Sequence, residues 1–284
     1  MPELPEVETI RRDLLSVIFK KQIVRVDFLG MTRVFPEAAL FRRRVQKLSV
    51  KDIRRVGKLL IFDLEKYQMM VHLKMTGQLV LKTRTDVISG GHPVKGLMEL
   101  PNKFTRAIFY FKSGEELYFN DMRKFGYIKL VSPEEARKII APYGVDPLTN
   151  DFSQDFWRAV TKKYGRSIVK HFLLRQTPIS GLGNIYVDEA CFRAKIRPTR
   201  LLGSLTPKEQ GDLYKGIRRV LELSIANRGT SFNTYRGADG AKGVFYKFLH
   251  VYGRNKEKCR KCKTPIVKVR VAGRGTHYCP TCQV

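Results

Sequence analysis

Cysteine is scarce in this chain: 284 residues carry five, four of them in two close pairs near the end. That excludes a disulfide-dense secreted scaffold. No apolar run reaches the eighteen or so residues that read as a membrane-spanning helix. The first residues are acidic, where a secretory signal would be basic and then apolar. The expectation is a soluble, intracellular, cytoplasmic protein with no membrane partner. Acid is short relative to base: 54 Lys+Arg face 26 Asp+Glu, a net charge of +28 and a sequence pI near 10.1. The bases are scattered along the chain and not confined to a tail, which points to a polyanionic partner. Charge alone fits a ribosomal or membrane-surface protein equally well, so it defines a partner class and not a reaction. The length suffices for two domains with cores of their own, or for one large domain with an appendage.

What is present begins with Met1-Pro-Glu-Leu-Pro-Glu-Val-Glu. Trimming of Met1 would leave Pro2 as a terminal secondary amine. An α-amino group titrates near pH 8 and a lysine near 10.4, so at pH 7 about one terminal amine in ten is unprotonated, against roughly one lysine in a few thousand. Such an amine attacking a sugar aldehyde yields a cationic iminium, an electron sink like a lysine Schiff base. Glu3 and Glu6 lie within reach in sequence. A plainer reading also holds, in which Glu6 and Glu8 favour the N-terminus of a helix entered at Pro5. Val7, Ile10, Leu14 and Val17 recur at spacings of three and four, the signature of a helix that buries one face.

Between Gln22 and Leu130 the period falls to two, in Ile23–Val26, Leu59–Phe62, Met69–Leu73, Ala107–Phe111 and Tyr127–Leu130. Short strands separated by turn signals predict a β-sandwich. Arg42-Arg43-Arg44 and Arg54-Arg55 read as solvated faces, and residues 83–102 as a long glycine-containing loop. Met75, ending an apolar strand, reads as core when taken alone. Ser132-Pro-Glu-Glu marks a capped helix start, and the Pro- and Asx-rich stretch 144–151 an interdomain hinge. Helical spacing follows, with Phe156, Trp157 and Val160 on one face and Ile168, Phe172 and Leu173 on another. Gly181-Leu-Gly-Asn184 opens a further helix, where Asn184 can cap and free backbone N–H groups suit a phosphate. Leu213, Ile217, Val220, Leu221 and Ile225 form a long scaffold helix. Residues 231–243 hold three glycines, Gly237, Gly240 and Gly243, in one polar loop, which suits a lid or a plain linker.

The last pattern is the most specific by spacing. Cys259-x2-Cys262, sixteen residues, then Cys279-x2-Cys282 is the four-thiolate arrangement of a structural zinc ribbon with no open coordination position. Cys191 reads as a buried helix residue. Val267–Val271 and Thr276–Tyr278 alternate as a hairpin around Gly273-Arg274-Gly275.

The opening string with Arg11-Arg12, then His72-Leu-Lys-Met75-Thr-Gly77, Asp121-Met-Arg123-Lys-Phe125-Gly126, Gly181-Leu-Gly-Asn-Ile-Tyr-Val-Asp-Glu189 and the cysteine pairs, in that order, resembles the bacterial formamidopyrimidine-DNA glycosylases across nearly the whole chain. The resemblance implies an α+β protein: an N-terminal helix plus β-sandwich domain over residues 1–133, a helical helix-two-turn-helix domain over 134–248, and a zinc-ribbon hairpin over 249–284. It implies a monomeric, nucleoid-associated enzyme of base-excision repair that binds double-stranded DNA containing oxidised purines or abasic sites, with one structural Zn2+ held by Cys259, Cys262, Cys279 and Cys282. Pro2, Glu3, Lys58 and Arg274 take the catalytic positions. Met75, Arg123 and Phe125 fill the gap left by a flipped nucleotide. Arg166 meets phosphate, Lys170 reaches the lesion nucleotide, and Glu6, Asn184 and Tyr235 contact base or DNA, with Tyr235 in a base-reading loop. Three positions depart from the family's pattern. Leu59 replaces an aromatic after Lys58, Phe104 and Arg106 replace a His-x-His pair, and Arg175 stands where an Asp is usual. The alternatives are an endonuclease VIII-like enzyme for oxidised pyrimidines and a non-catalytic, zinc-containing lesion-binding protein.

Overall fold

The computed structural model describes residues 1–31, 33–91, 99–230 and 245–284. The chain divides into two compact units, Met1–Pro142 with Asn227–Tyr246, and Tyr143–Ala226 with Lys247–Val284.

The first unit is a sandwich of two five-stranded sheets among the described residues. One sheet runs β1 (Ile23–Phe28), β8 (Thr105–Phe111), β9 (Glu116–Asp121), β6 (Gly77–Lys82) and β7 (Val87–Gly91); the other runs β2 (Val34–Phe35), β10 (Tyr127–Val131), β5 (Tyr67–His72), β4 (Leu59–Leu64) and β3 (Asp52–Val56). All the neighbours pair antiparallel except β10 with β2. Alternate residues such as Phe62, Met69, Phe109, Phe119 and Ile128 face inward to one core. An open sandwich leaves two edges of unpaired strand, and covering them is how such folds avoid edge-to-edge association. Helix α1 (Leu4–Ile18) packs against β7, β3 and β4 on one edge, and α2 (Ala38–Val45) against β1 and β2 on the other. Helix α3 (Pro133–Ile140) starts as expected, with a reciprocal capping box between Ser132 and Glu135.

Two local expectations need correction, and a third holds. Residues 87–91, expected in a loop, form edge strand β7 against β6; its Gly90-Gly91 end carries no alternation for a sequence pattern to detect. The Arg42-Arg43-Arg44 run is exposed as expected, in the last turn of α2, where cations complement the helix dipole. Arg55 is not a solvated base: its side chain is 7 % exposed and its guanidinium sits 3.0 Å from Glu8.

The second unit gathers α4 (Gln154–Lys163), α5 (Val169–Leu174), α6 (Asn184–Arg193) and α7 (Pro207–Ala226), with the hairpin β11 (Val267–Val271) and β12 (Arg274–Tyr278). Phe152 stacks on Tyr214 at 4.9 Å and meets Trp157 edge-on. Helix α6 packs against both α7 and β12. Tyr186 is fully buried, its hydroxyl 2.7 Å from Ser224 of α7. Among the described residues no helix is long and apolar enough to cross a membrane.

Candidate active site and nucleic-acid interface

Helix α1 begins with an acidic residue at its cap. Glu3 occupies the N-cap and forms a capping box with Glu6, whose Oε2 accepts from the Glu3 N–H at 2.9 Å. The other Glu6 oxygen accepts from the Thr230 N–H at 3.0 Å and its hydroxyl at 3.1 Å. Pro2 is buried just ahead, Met1 is 43 % exposed, and Glu3 and Glu6 are almost wholly enclosed. A proline held this way has no freedom in φ, so the direction of its nitrogen is set by the helix that follows.

Glu8, one turn on, is a different carboxylate. Burial alone would push its pKa up, but hydrogen bonds from Arg11 and Arg12 and the charge of Arg55 outweigh it and hold the group at about 2. Arg55 also donates to the Gly57 carbonyl at 3.0 Å, which ties the β3–β4 turn to the start of α1. Gly57 takes a φ of +57°, and Lys58 follows it, only 7 % exposed. Leu59, in place of an aromatic, fits into the sheet with no exposure. His72 is held neutral: burial first, then Lys74 and Lys58, lower its pKa to about 3, and its Nδ1 accepts from the Lys74 N–H.

The two loops of the proposed wedge lie side by side. Chain crosses from one sheet to the other between β5 and β6, at Leu73–Thr76, and again between β9 and β10, at Met122–Phe125. Since Gly77 pairs with Asp121 and His72 with Tyr127, both crossings fall at one end of the sandwich. Met75 sits half-buried on the first, while Arg123 and Phe125 are exposed on the second with the guanidinium 4.6 Å over the ring. Asp121 organises this rim although sequence reasoning gave it no role. It has no exposure; one oxygen takes the Thr76 hydroxyl and the Arg123 N–H at 3.2 Å, and the other the Gly126 N–H at 2.7 Å. A Cβ at Gly77 would stand 2.3 Å from the Leu73 carbonyl oxygen and one at Gly126 2.6 Å from the Phe119 ring. Arg106 donates to the Asp121 carbonyl at 2.9 Å, so its guanidinium is tied to the same rim.

In the second unit Arg166 is exposed after α4, beside an open depression of about 420 Å³ lined by Lys162, Lys163, Tyr164, Gly165, Arg166 and Ser167. Arg175 lies with its guanidinium 5.4 Å over Tyr164. Two expectations change here. Lys170 is 0 % exposed, with its ammonium 2.6 Å from Asp188 Oδ1 and 3.3 Å from the Gly275 carbonyl. A group so enclosed holds the hairpin and does not reach a nucleotide. Asn184 does not cap: Gly183 is the N-cap residue, and the Asn184 amide nitrogen donates to the Gly275 carbonyl at 2.9 Å. Arg274 is the first residue of β12, opposite Val271 and exposed, and the tight turn is made by Ala272 and Gly273, at φ +50° and +73°. Asp188 Oδ2 also takes the His277 N–H at 2.8 Å. Glu189, unnoticed in sequence although it ends the Gly181–Glu189 string, accepts the N–H groups of His250, Val251 and Tyr252 within 3.0 Å. Tyr235 and the 231–243 loop lie outside the described residues.

The thiol sulfurs of Cys259, Cys262, Cys279 and Cys282 all lie within 4.8 Å of one another. Tetrahedral zinc with bonds near 2.3 Å brings its sulfurs to about 3.8 Å; here Cys259 and Cys282 are 4.0 Å apart and Cys262 and Cys279 3.3 Å. The Lys261 and Cys282 N–H groups point at the Cys259 and Cys279 sulfurs, each at 3.4 Å. The donor set fits one structural zinc ion. Cys191 stands apart, with no exposure and its thiol pKa pushed up by burial.

Comparison with known proteins places this arrangement in a class, the DNA glycosylases of base-excision repair. Family models match along the chain: the formamidopyrimidine-DNA glycosylase N-terminal domain over residues 1–128, the H2TH domain over 143–236, and the zinc finger found in FPG and IleRS over 256–284. The formamidopyrimidine-DNA glycosylase of Shouchella clausii is 40 % identical, with 100 % of this chain and 99 % of that protein covered. Among solved structures, a Lactococcus lactis Fpg complex with DNA containing an abasic site superposes with a TM-score of 0.86 at 32 % identity, over 99 % of both chains. A MutM complex with DNA carrying carbocyclic 8-oxo-G matches with the same score, identity and coverage. The chain belongs to the formamidopyrimidine-DNA glycosylase family.

Proposed function

We propose that the protein is a bifunctional glycosylase and AP lyase that removes 8-oxoguanine and formamidopyrimidines from duplex DNA, with the Pro2 amine as nucleophile once Met1 is removed. The observation that carries this reading is the enclosure of Pro2 and Glu3 at the start of α1, oriented by the capping box with Glu6. The Pro2 nitrogen forms a bond to C1′ as the bond from C1′ to the damaged base breaks, and the base leaves with a proton. Glu3 protonates O4′, the ring opens, and the iminium acidifies the C2′ protons. Loss of one expels the 3′ phosphate by β-elimination; a second elimination expels the 5′ phosphate, and water releases the amine. Lys58 and Arg274 assist these eliminations. Met75, Arg123 and Phe125 offset the few kcal/mol that base extrusion costs. Arg166 and Asn184 engage backbone phosphate, and Glu6 and Tyr235 serve the extruded nucleotide. Lys170, one of the proposed DNA contacts, acts by holding Gly275 beside Arg274.

The same reading makes residues 1–133 the catalytic β-sandwich domain, 134–248 the helix-two-turn-helix DNA-binding domain and 249–284 the zinc finger that brings Arg274. It makes the protein a cytoplasmic, nucleoid-associated monomer. Family membership supports it.

Borohydride reduction during turnover tests the mechanism. The expected result is a covalent protein–DNA adduct mapped to Pro2 by mass spectrometry. A protein retaining Met1 has a tertiary amide at that nitrogen and should bind DNA without forming the adduct. Attachment at a lysine with Pro2 free would overturn the assignment.

A further inference from the structure

With 54 bases and 26 acids, at least 28 cations have no carboxylate of their own, and the structure shows where some of them go. On the sheet face opposite the core, Lys129 of β10 lies between two rings, its ammonium 5.3 Å over Phe35 and 5.5 Å over Tyr127. Lys74, directly before Met75, also lies over Tyr127, at 5.6 Å, and His72 sits against the same ring at 5.5 Å. The register makes this one surface, because Lys129 pairs with Phe35 on β2 and Tyr127 with His72 on β5. Ile128 and Leu130, the alternate residues of β10, are buried in the core. Phe35 is 49 % exposed. Neither Lys74 nor Lys129 forms a salt bridge among the described residues, whereas Lys138 and Lys208 are paired with Glu134 and Asp212.

A lysine held by a carboxylate is ordered but neutralised. A lysine held over a ring is ordered and keeps its full charge, since the attraction comes from the ring quadrupole. Ordering before contact lowers the entropic cost of binding. Tyr127 and Lys74 adjoin the two rim loops that carry Phe125 and Met75, so the charged surface continues from the wedge.

We propose that Phe35, Lys129, Tyr127 and Lys74 form an auxiliary ridge that binds the phosphate backbone of duplex DNA next to the wedge, the lysines as contacts and the rings as their supports. The ridge rests on the glycosylase reading above and extends its DNA footprint. The test compares Lys74→Gln/Lys129→Gln with the paired-lysine control Lys138→Gln/Lys208→Gln, measuring affinity for an undamaged duplex against salt. Losing two phosphate contacts should lower the salt slope by about 1.8, so that the parent loses about 12-fold more affinity than the ridge variant between 50 and 200 mM salt. The control should keep the parent slope. Phe35→Leu should weaken binding about 2- to 5-fold with the slope unchanged. An unchanged slope in the ridge variant, or an equal fall in the control, overturns the ridge. An unaffected Phe35→Leu overturns the supporting role of the ring. Borohydride trapping of the parent on an abasic duplex reads the glycosylase assignment separately: an adduct together with an unchanged slope rejects the ridge alone, and no adduct with no binding rejects the reading beneath it.

Discussion

Helices α1 and α6 both carry buried acidic residues, and each set is answered in a different way. On α1, Glu8 is surrounded by the guanidiniums of Arg11, Arg12 and Arg55, two of them from its own helix. Arg12 is 59 % exposed on its side chain, so this cluster opens to water at one side. Asp188 on α6 has no such outlet. It meets Lys170 with both side chains at 0 % exposure, and takes the His277 N–H with its second oxygen. Glu189 is answered by backbone hydrogen bonds: burial pushes its pKa up, while the N–H groups of Tyr252, Val251 and His250 pull it back. The contrast follows from what each helix has to support. Helix α1 lies on a sandwich with a large apolar core, where charge has only to set the direction of a terminus. The segment around the cysteines buries little apart from Val251, Ile266, Phe192 and the sulfurs, so metal and buried charge replace the missing core.

Removing the zinc should break the comparison most strongly. Structural zinc contributes an apparent ~10–16 kcal/mol to small domains of this type, far more than the few apolar side chains around it. Chelation should release β11 and β12, abolish DNA binding and leave the sandwich transition of the first unit in place. Metal analysis with calorimetry checks this; a folded, DNA-competent protein with two disulfides and no zinc would refute it.

The next largest effect belongs to Lys170. Breaking a fully buried ion pair from one side strands the other charge, at a cost of about 3–5 kcal/mol. Lys170→Met should therefore destabilise the second unit by that order, and Lys170→Met/Asp188→Asn should recover part of the loss because no bare charge remains. Denaturant titration of both variants decides it. If the single variant is as stable as the parent, the pair is not what fixes Gly275.

These contrasts also mark what could be read in the sequence. Strands β1, β4, β5, β8 and β10 were legible because each puts alternate apolar residues into one core. Strands β2, β3, β6, β7 and β9 were missed: β2 is two residues long, β3 carries charge at three of its five positions, and β7 ends in glycines. The cysteine spacing named the metal because few other uses need that pattern. Pro2, Glu3, Lys58 and the wedge residues were legible only as strings resembling a family. The supports of the site were not legible. Asp121, Asp188 and Glu189 stood inside those strings, but their partners lie far along the chain, as with Thr76, Lys170 and Val251. Lys170 had a role only through that resemblance, and its buried partner Asp188, eighteen residues on, was not legible beside it.

The smallest expected effect separates α1 from α6 by pH. A depressed carboxyl stabilises the fold above its unfolded pKa and loses that contribution as pH falls through its folded pKa. For Glu8 the ordinary value is 4.5 and the folded one about 2, so its contribution is complete above pH 4.5 and disappears towards pH 2. A shift of that size corresponds to about 3 kcal/mol at most, and the exposure of Arg12 to solvent reduces it to about 1–2 kcal/mol. Glu8→Gln should lower the stability of the first unit by that amount at pH 7 and flatten its dependence between pH 4.5 and 2. Glu189 has its pKa displaced upward, so Glu189→Gln should not flatten that window. Stability measured across it for both variants is decisive: if Glu8→Gln keeps the parent's acid slope, the three guanidiniums act as packing for α1 and not as its electrostatic anchor.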